Sequence, residues 1–502
     1  MDIYSLTLLP SGQRLSVPAG QTLHQALSSA GIWINAPCGG RGACGKCRLE
    51  ADGVSVLACR TAVTHDMVLR LPGQEQAGIL TGGLRPEVLP DAGLGYVIAA
   101  DIGTTTVVVY LLDGKTGAVL RTESAMNPQI AFGGDVISRI QYVLEHPETD
   151  ALRQSVLACL AELTTAAADA AGIDPHEIMR GCIVGNTAMH HLLLGIDPKP
   201  LTIPPYMPKV RAAMELPAGD LLPIAPAGTV RILPNIAGFV GADTVACMAA
   251  TDFAHRRGIT LLLDIGTNGE MAATDGKRCI ACSTAAGPAF EGAKIRCGMR
   301  GAAGAIDHVC LKDGELSCSV IGGGKAAGIC GSGLLDAVHA LRQCGMLDET
   351  GRMDTACGEA GRWMTVDGIR AVHLLDGIVL TQKDVREFQL AKAAVRAGID
   401  LLLQRLGVGA EAVDTILLAG AFGNYLDPAS ACAVGLLPKE LEDRIVPIGN
   451  AAGIGAQLCA LSDAQFEYAS VLARQTEFLE LASMPEFQDR FIDSMMLGEG
   501  EL

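Results

Sequence analysis

Four cysteines give the first chemical signal. In Ala36-Pro37-Cys38-Gly39-Gly40-Arg41-Gly42-Ala43-Cys44-Gly45-Lys46-Cys47, followed by Cys59, the thiols are separated by five, two and eleven residues. Thiolates are the soft ligands of iron and zinc. The interspersed glycines permit positive φ and close backbone approach, leaving amides free to donate to inorganic sulfide. Zinc is the rival ion, but its sites usually pair two C-x2-4-C knuckles, and the first and last gaps here break that pattern. A loop of purely structural thiols is the bland alternative. Cys279-Ile280-Ala281-Cys282 is formally a C-x2-C pair, yet it lies in a strand-like run without a second pair nearby, and buried thiols explain it better. His190 and His191 are adjacent at a helix start and cannot chelate as an i, i+4 pair would.

A second constellation suits phosphate. Asp101-Ile102-Gly103-Thr104-Thr105 follows an apolar run: Gly103 lets the backbone close on a phosphate, while Thr104 and Thr105 offer hydroxyls and amides to its oxygens. Asp101 can hold Mg2+ through water. Asp264-Ile265-Gly266-Thr267-Asn268-Gly269 repeats the pattern 163 residues later, and two carboxylates facing one phosphate-bound metal suit phosphoryl chemistry. A third signal, Gly420-Ala421-Phe422-Gly423 after an apolar strand, can bring a nucleoside against the backbone. Gly331-Ser332-Gly333 opens a helix suited to anion contact. Asp243 follows another strand-to-helix turn and either orients an attacking water or simply caps the helix. After the second clamp, the small-residue loop beginning at Ser283 and Thr284 lacks the long polar side chains that would bind a sugar, and it can approach a bulky partner cofactor closely.

The elements that must position these groups divide the chain. Residues 1–75 show short alternating strands (Ile3–Leu8, Arg14–Val17), a helix (Leu23–Ser29), the cysteine loop and two further strand-like runs (Cys47–Glu50, Met67–Leu71), an α+β module. Residues 76–95 form a linker rich in Gly and Pro. Strands then alternate with helices, and the 163-residue repeat predicts duplicated α/β halves over 96–258 and 259–461, with a cleft between them. Residues 462–502 are expected to form a peripheral helix or tail.

Composition limits the function. The 502-residue chain carries a net charge of −17, a field that repels nucleic-acid phosphates. Six basic and five acidic residues fall in 1–75, so the acid surplus belongs to the later units. Seventeen cysteines, an odd number, without a basic, apolar leader fit reduced thiols in the cytoplasm, and no apolar run approaches the ~18 residues of a membrane span.

The N-terminal module resembles plant-type and adrenodoxin-type ferredoxins, a β-grasp fold. That resemblance implies that Cys38, Cys44, Cys47 and Cys59 hold a 2Fe-2S cluster engaged in one-electron transfer. Residues 96–461 resemble the actin-like ATPase superfamily of acetate and sugar kinases and heat-shock ATPases, which implies ATP and Mg2+ between two duplicated α/β lobes. Together they resemble the ATP-dependent reductive activators of corrinoid proteins, which return Co(II) to Co(I). The partners so implied are a corrinoid protein of a methyltransferase system and an external low-potential electron donor, and a homodimer is left open. ATP-dependent activators of other low-potential enzymes, or an electron carrier with a non-catalytic nucleotide sensor, are the alternatives.

Overall fold

The computed structural model describes residues 3–9, 12–30, 32, 47–71, 80–83, 86–219, 221–357 and 360–498. The N-terminal module comprises β1 (Ile3–Leu9), β2 (Arg14–Pro18), α1 (Leu23–Ser29), β3 (Arg48–Ala51), β4 (Val54–Leu57) and β5 (Met67–Arg70). Their order across the sheet is β2-β1-β5-β3-β4, with β1 and β5 parallel. Alternation along β1 puts Leu6 and Leu8 inward, where they join Leu23 and Leu27 of α1, Leu49 and Leu69 in one core. A helix on a mixed sheet is the expected ferredoxin-like arrangement. β4 has no counterpart among the expected strands: it is a four-residue edge strand without a clear inward–outward alternation, although Asp52-Gly53 supplies a tight hairpin turn before it.

The first lobe runs through β6 (Tyr96–Ile102), β7 (Thr106–Asp113), β8 (Val119–Met126), α2 (Val136–Glu145), α3 (Ala151–Ala171), β9 (Ile178–Gly185), α4 (Thr187–Leu194), β10 (Met214–Pro217), β11 (Thr229–Ile232) and α5 (Ala242–Ala250). The second contains β12 (Ile259–Ile265), β13 (Gly269–Thr274), β14 (Cys279–Thr284), β15 (Ala305–Lys312), β16 (Glu315–Val320), β17 (Gly328–Ile329), α6 (Gly331–Gln343), β18 (Trp363–Val366), β19 (Ile369–Leu375), β20 (Ile378–Thr381), α7 (Gln382–Leu406), β21 (Val413–Ala419), α8 (Gly420–Tyr425), α9 (Pro428–Ala433), β22 (Ile445–Gly449) and α10 (Ala451–Leu461). α11 (Asp463–Gln475), β23 (Glu477–Leu479) and α12 (Pro485–Asp493) follow.

The duplication is explicit in strand order. The sheets read β8-β7-β6-β9-β11 and β14-β13-β12-β21-β22, each an antiparallel meander followed by parallel crossovers. β10 extends the first sheet and β23 the second. Both central strands, β6 and β12, are mostly apolar up to the aspartate near their C-terminal ends because both faces are covered. Between the lobes α5 and α10 share a core with β6, β7, β12 and β13. Small residues allow this approach: a Cβ on Gly455 would overlap the backbone of Ala246, and one on Gly453 would lie 2.5 Å from the Tyr110 hydroxyl. Residues beyond 461 contribute more than a peripheral tail: β23 pairs with β14 in parallel, and Leu497 is buried in the second-lobe core.

Candidate functional site

Each clamp grows from the end of a central strand. Asp101, near the end of β6, pairs with Val108 of β7 and Val184 of β9. Its side chain therefore leaves the sheet at the C-terminal ends of parallel strands, where open α/β sheets present ligand groups. The Gly103 N–H donates to the Thr106 carbonyl at 2.8 Å, closing the turn that carries Thr104 and Thr105. Asn186, N-cap of α4, donates from Nδ2 to Thr104 Oγ1 at 3.0 Å. In the second copy Gly266 N–H donates to the Asn268 carbonyl at 2.8 Å, and Thr267 Oγ1 donates to Glu291 Oε1 at 2.8 Å. Gly269 opens β13, where a Cβ would meet Thr284 Oγ1 at 3.0 Å.

The glycine-rich turn is brought onto this second clamp. Gly420 has φ 77°, and a Cβ there would stand 2.6 Å from Asp264 Oδ1. Both backbone conformation and space therefore demand glycine. Ala421 is exposed, Phe422 stacks on Phe290 with centroids 4.5 Å apart, and Gly423 is buried against Leu418. Gly331 reaches the same place: a Cβ would overlap the Phe290 carbonyl and lie 2.9 Å from Phe422 Cδ2. Ser332 is buried with its hydroxyl 3.3 Å from Cys330 Sγ, and Gly333 packs on the Ile306 carbonyl, so close packing also accounts for these small residues.

Asp101, Asp264 and Asp243, the last in the first turn of α5, face one electrostatic centre. Burial pushes Asp101 up to about 7, reinforced by Asp243 and Asp264 and opposed by a hydrogen bond from Asn450. Asp264 also rises to about 7 through burial and the charges of Asp243 and Glu291. Asp243 and Glu270 are raised chiefly by burial, although Asp243 accepts a bond from Thr244 N–H at 2.7 Å. Among the described residues none of these four acids has an Arg or Lys ion-pair partner. Nor do any three His, Cys, Asp or Glu side chains among them converge as direct metal ligands. Crowded, cation-free carboxylates without a closed ligand cage fit Mg2+, which keeps its waters and binds through substrate phosphates.

Several polar residues of this crevice lie outside the sequence motifs, among them Glu270 and Glu291 and three with partners far along the chain. Asn450, N-cap of α10, donates from Nδ2 to Asp101 Oδ2 at 3.0 Å. Arg139 is fully buried, its guanidinium held by the carbonyls of Gly133 and Thr104 and by Gln129 Oε1, and burial lowers its proton affinity. Arg300 crosses from the second lobe, its Nη2 lying 3.4 Å from Thr105 Oγ1. Glu291 is the acid that bears electrostatically on both arginines. The available signal for Arg300 was its setting in Gly298-Met299-Arg300-Gly301, a glycine-rich stretch with a single cation. Thr284, expected beside Ser283 at the partner face, is a correction: β14 alternates, so Ser283 is partly exposed while Thr284 is buried beneath Gly269 and Gly398.

In the N-terminal module, Cys38 and Cys44 lie outside the described residues. Cys47 enters β3 and Cys59 sits in the short turn after β4; the hairpin brings their Sγ atoms to 3.2 Å. Two thiolates on one tetrahedral ion with ~2.3 Å metal–sulfur bonds stand ~3.8 Å apart, so this pair suits a shared ion after slight spreading. Cys279 and Cys282 are buried strand thiols, and His190 and His191 are buried in α4.

Three family descriptions match the sequence in succession: a 2Fe-2S iron-sulfur cluster binding domain over residues 6–65, the RACo middle region over 96–256, and the C-terminal domain of RACo, the ASKHA domain, over 258–502. Fold and matches together define an actin-like ATPase of two lobes preceded by a 2Fe-2S ferredoxin-like domain. The corrinoid activation enzyme RamQ of Eubacterium limosum is 40% identical over 422 residues, 80% of this chain and 70% of that protein. A Co(II) methylated amine-specific corrinoid protein reductase of Methanosarcina barkeri is 26% identical over 431 residues, 79% and 76% of the two chains. The solved structure of a reductive activator for a corrinoid, iron-sulfur protein superposes with TM-score 0.73 and 29% identity, covering 98% of both chains. The chain belongs to the family of reductive activators of corrinoid proteins. Among the described residues no helix is long and apolar enough to cross a membrane.

Proposed function

We propose that this protein uses ATP to drive one-electron reduction of the cobalt of a corrinoid protein, Co(II) to Co(I), with the electron entering through its 2Fe-2S module. The single observation that carries this reading is the joining, in one chain, of a ferredoxin-like module bearing the Cys47–Cys59 pair to two lobes whose clamps confront each other through Asp101 and Asp264. When bound, the cluster supplies a one-electron relay, and Mg·ATP supplies a ligand whose shape changes on hydrolysis.

The chain's own residues do the rest. Cys38, Cys44, Cys47 and Cys59 hold the cluster. The turns at Gly103–Thr105 and Gly266–Gly269 receive phosphate oxygens, Asp101 and Asp264 hold the hydrated cation, and Gly420–Gly423 with Gly331–Gly333 border the nucleoside. Asp243, its proton affinity raised by burial, orients the attacking water and accepts its proton. Arg139 and Arg300 offset charge near the Thr104–Thr105 turn. Ser283 faces the corrinoid.

ATP need not strengthen the electron. About 59 mV is a tenfold equilibrium change for one electron, so a lobe arrangement that binds the Co(I) partner more tightly shifts the effective potential by that ratio. The unit boundaries at 1–75, 96–258 and 259–461, a cytoplasmic setting, an external low-potential donor and an optional homodimer complete the proposal. The test is optical. Anaerobically purified protein, reductant, ATP and a Co(II) corrinoid protein are mixed, and loss of the Co(II) spectrum is followed. Reduction that requires ATP supports the reading; equal reduction without nucleotide overturns it.

A further inference from the structure

Between the iron-sulfur module and the first lobe, the described residues 80–83 and Asp91 are tied to the ATPase lobes. Leu80–Gly83 lies against the start of α10, and Asp91 meets its end through a bond from Asp91 N–H to the Leu461 carbonyl. The N-terminal contact is tight. Gly83 bridges Gly449; a Cβ on Gly83 would overlap the Ile448 carbonyl, and one on Gly449 would overlap that of Gly82. Asn450 N–H donates to the Gly82 carbonyl at 2.9 Å, and the Tyr110 hydroxyl donates to the Thr81 carbonyl at 3.0 Å.

Asn450 joins this contact to the first clamp. Its Oδ1 accepts from Gly453 N–H at 2.8 Å, which fixes the carboxamide. Its two Nδ2 hydrogens then face three acceptors: Asp101 Oδ2 at 3.0 Å, Tyr110 Oη at 3.2 Å and the Leu80 carbonyl at 3.5 Å. One donor group is oversubscribed, so whatever claims Asp101 changes what remains for Leu80.

We propose that Leu80–Gly83 is a nucleotide-reading strap and that Asn450 is the positioning residue that ties it to Asp101. The inference rests on the proposed assignment of Asp101 to the ATP site. A hydrated cation drawing on the Asp101 oxygens competes with the Asn450 N–H for the same carboxylate. Both Nδ2 hydrogens are then left for the two remaining acceptors, Tyr110 Oη and the Leu80 carbonyl, so Leu80 gains a donor of its own and the strap is held more firmly. With nucleotide gone, Asp101 reclaims the donor and the strap loosens. The consequence is reach. β5 ends at Arg70, ten residues before Leu80, which caps the span at ~35 Å, and releasing the chain back to Val88, which packs on the interlobe core, adds up to ~28 Å. ATP would thereby control how far the electron carrier can travel.

The test uses the full anaerobic chain with its cluster and a non-hydrolysable ATP analogue with Mg2+. Hydrogen exchange is followed in peptides containing residues 80–83 and Asn450. The expected result is slower exchange with the analogue, within the 5–150-fold typical of coupled sites, and reciprocal weakening of analogue binding in Gly83→Ala by the same factor. Tyr110→Phe, which keeps the ring and removes the donor to Thr81, should show the same linked loss. A merely structural strap gives exchange that ignores nucleotide and variants that bind the analogue as the parent does; that result overturns the inference. If the parent protein binds no analogue, the ATP assignment falls and the strap with it.

Discussion

Replacing Asp264 by asparagine separates what this carboxylate does for the fold from what it does for the reaction. Its proton affinity is raised from 3.8 to about 7 by burial and by Asp243 and Glu291. At ~1.36 kcal/mol per pKa unit, the ionised group costs the nucleotide-free protein up to about 4 kcal/mol at pH 8 relative to the unfolded chain. Solvent entering the crevice and relaxation of the lobes reduce this, and about 1–3 kcal/mol is the expected measurable part. The sign follows from a folded pKa above the unfolded one: the stabilisation is complete below about pH 4 and is lost as pH rises through 7. Asp264→Asn keeps the shape and removes the charge, so it should melt higher than the parent at pH 8, by roughly 2–4 °C per kcal/mol, with the gap shrinking to less than about half at pH 5 and closing near pH 4. The measurement is thermal unfolding without nucleotide or Mg2+ at both pH values. The same variant should retain its cluster spectrum and lose ATP-driven cobalt reduction. A melting temperature at pH 8 equal to or below the parent's, or a gap that does not grow with pH, would refute the electrostatic reasoning; unimpaired ATP-driven reduction would refute the assignment.

Other substitutions test the remaining parts. Cys59→Ser should give protein with the cluster absorbance lost or altered and no cobalt reduction, while calorimetry still detects ATP binding; normal reduction by this variant contradicts the ligand assignment. Arg300→Ala removes the cation that reaches Thr105 from the opposite lobe and should lower ATP turnover by roughly 10²–10³, the range seen when one charge-stabilising donor is lost. An unchanged rate would place Arg300 outside the phosphate site. Gly420→Ala imposes about 1–2 kcal/mol of left-handed strain and drives a methyl against Asp264 Oδ1. It should weaken ATP more than it lowers the melting point, read by titration beside a thermal scan.

What the sequence disclosed was local. The two clamps could be read because each needs an acid, a glycine and hydroxyls within a few consecutive residues, and the cysteine loop because ligand spacing is itself the signal. The helix expected over Leu23–Ser29 coincides with α1, because its periodicity is also local. Asn450, Arg139 and Arg300 were hidden because each acquires its role from a distant partner: Asn450 meets Asp101 across 349 positions, and Arg300 meets Thr105 across 195. No periodicity announces such a meeting. The Gly-Pro linker illustrates the same limit, since its composition says only that it forms no regular element, whereas its glycines at 82 and 83 fit against Ile448 and Gly449. Thr284 was misplaced for a simpler reason, that a one-residue step along β14 changes the face of the sheet.

The placement of acids on both lobes suggests how nucleotide can move a structure whose halves share a core. Asp101 belongs to the first lobe and Asp264 to the second, and each raises the charge burden of the centre they face. Under the proposed assignment, ionisation of both would push the lobes apart in the absence of a cation, and a hydrated cation held between them would offset that repulsion. The α5–α10 contact is the place where such a difference has to be absorbed, since it lies between the lobes and brings Gly455 directly against the backbone of Ala246. A ligand shifts such an equilibrium only by its differential affinity for the two arrangements. Under the same assignment, phosphates reaching both clamps would have that differential, and loss of the terminal phosphate would remove part of it. Tight ATP binding alone would leave the protein in one arrangement, so repeated cobalt reduction requires hydrolysis to restore the other.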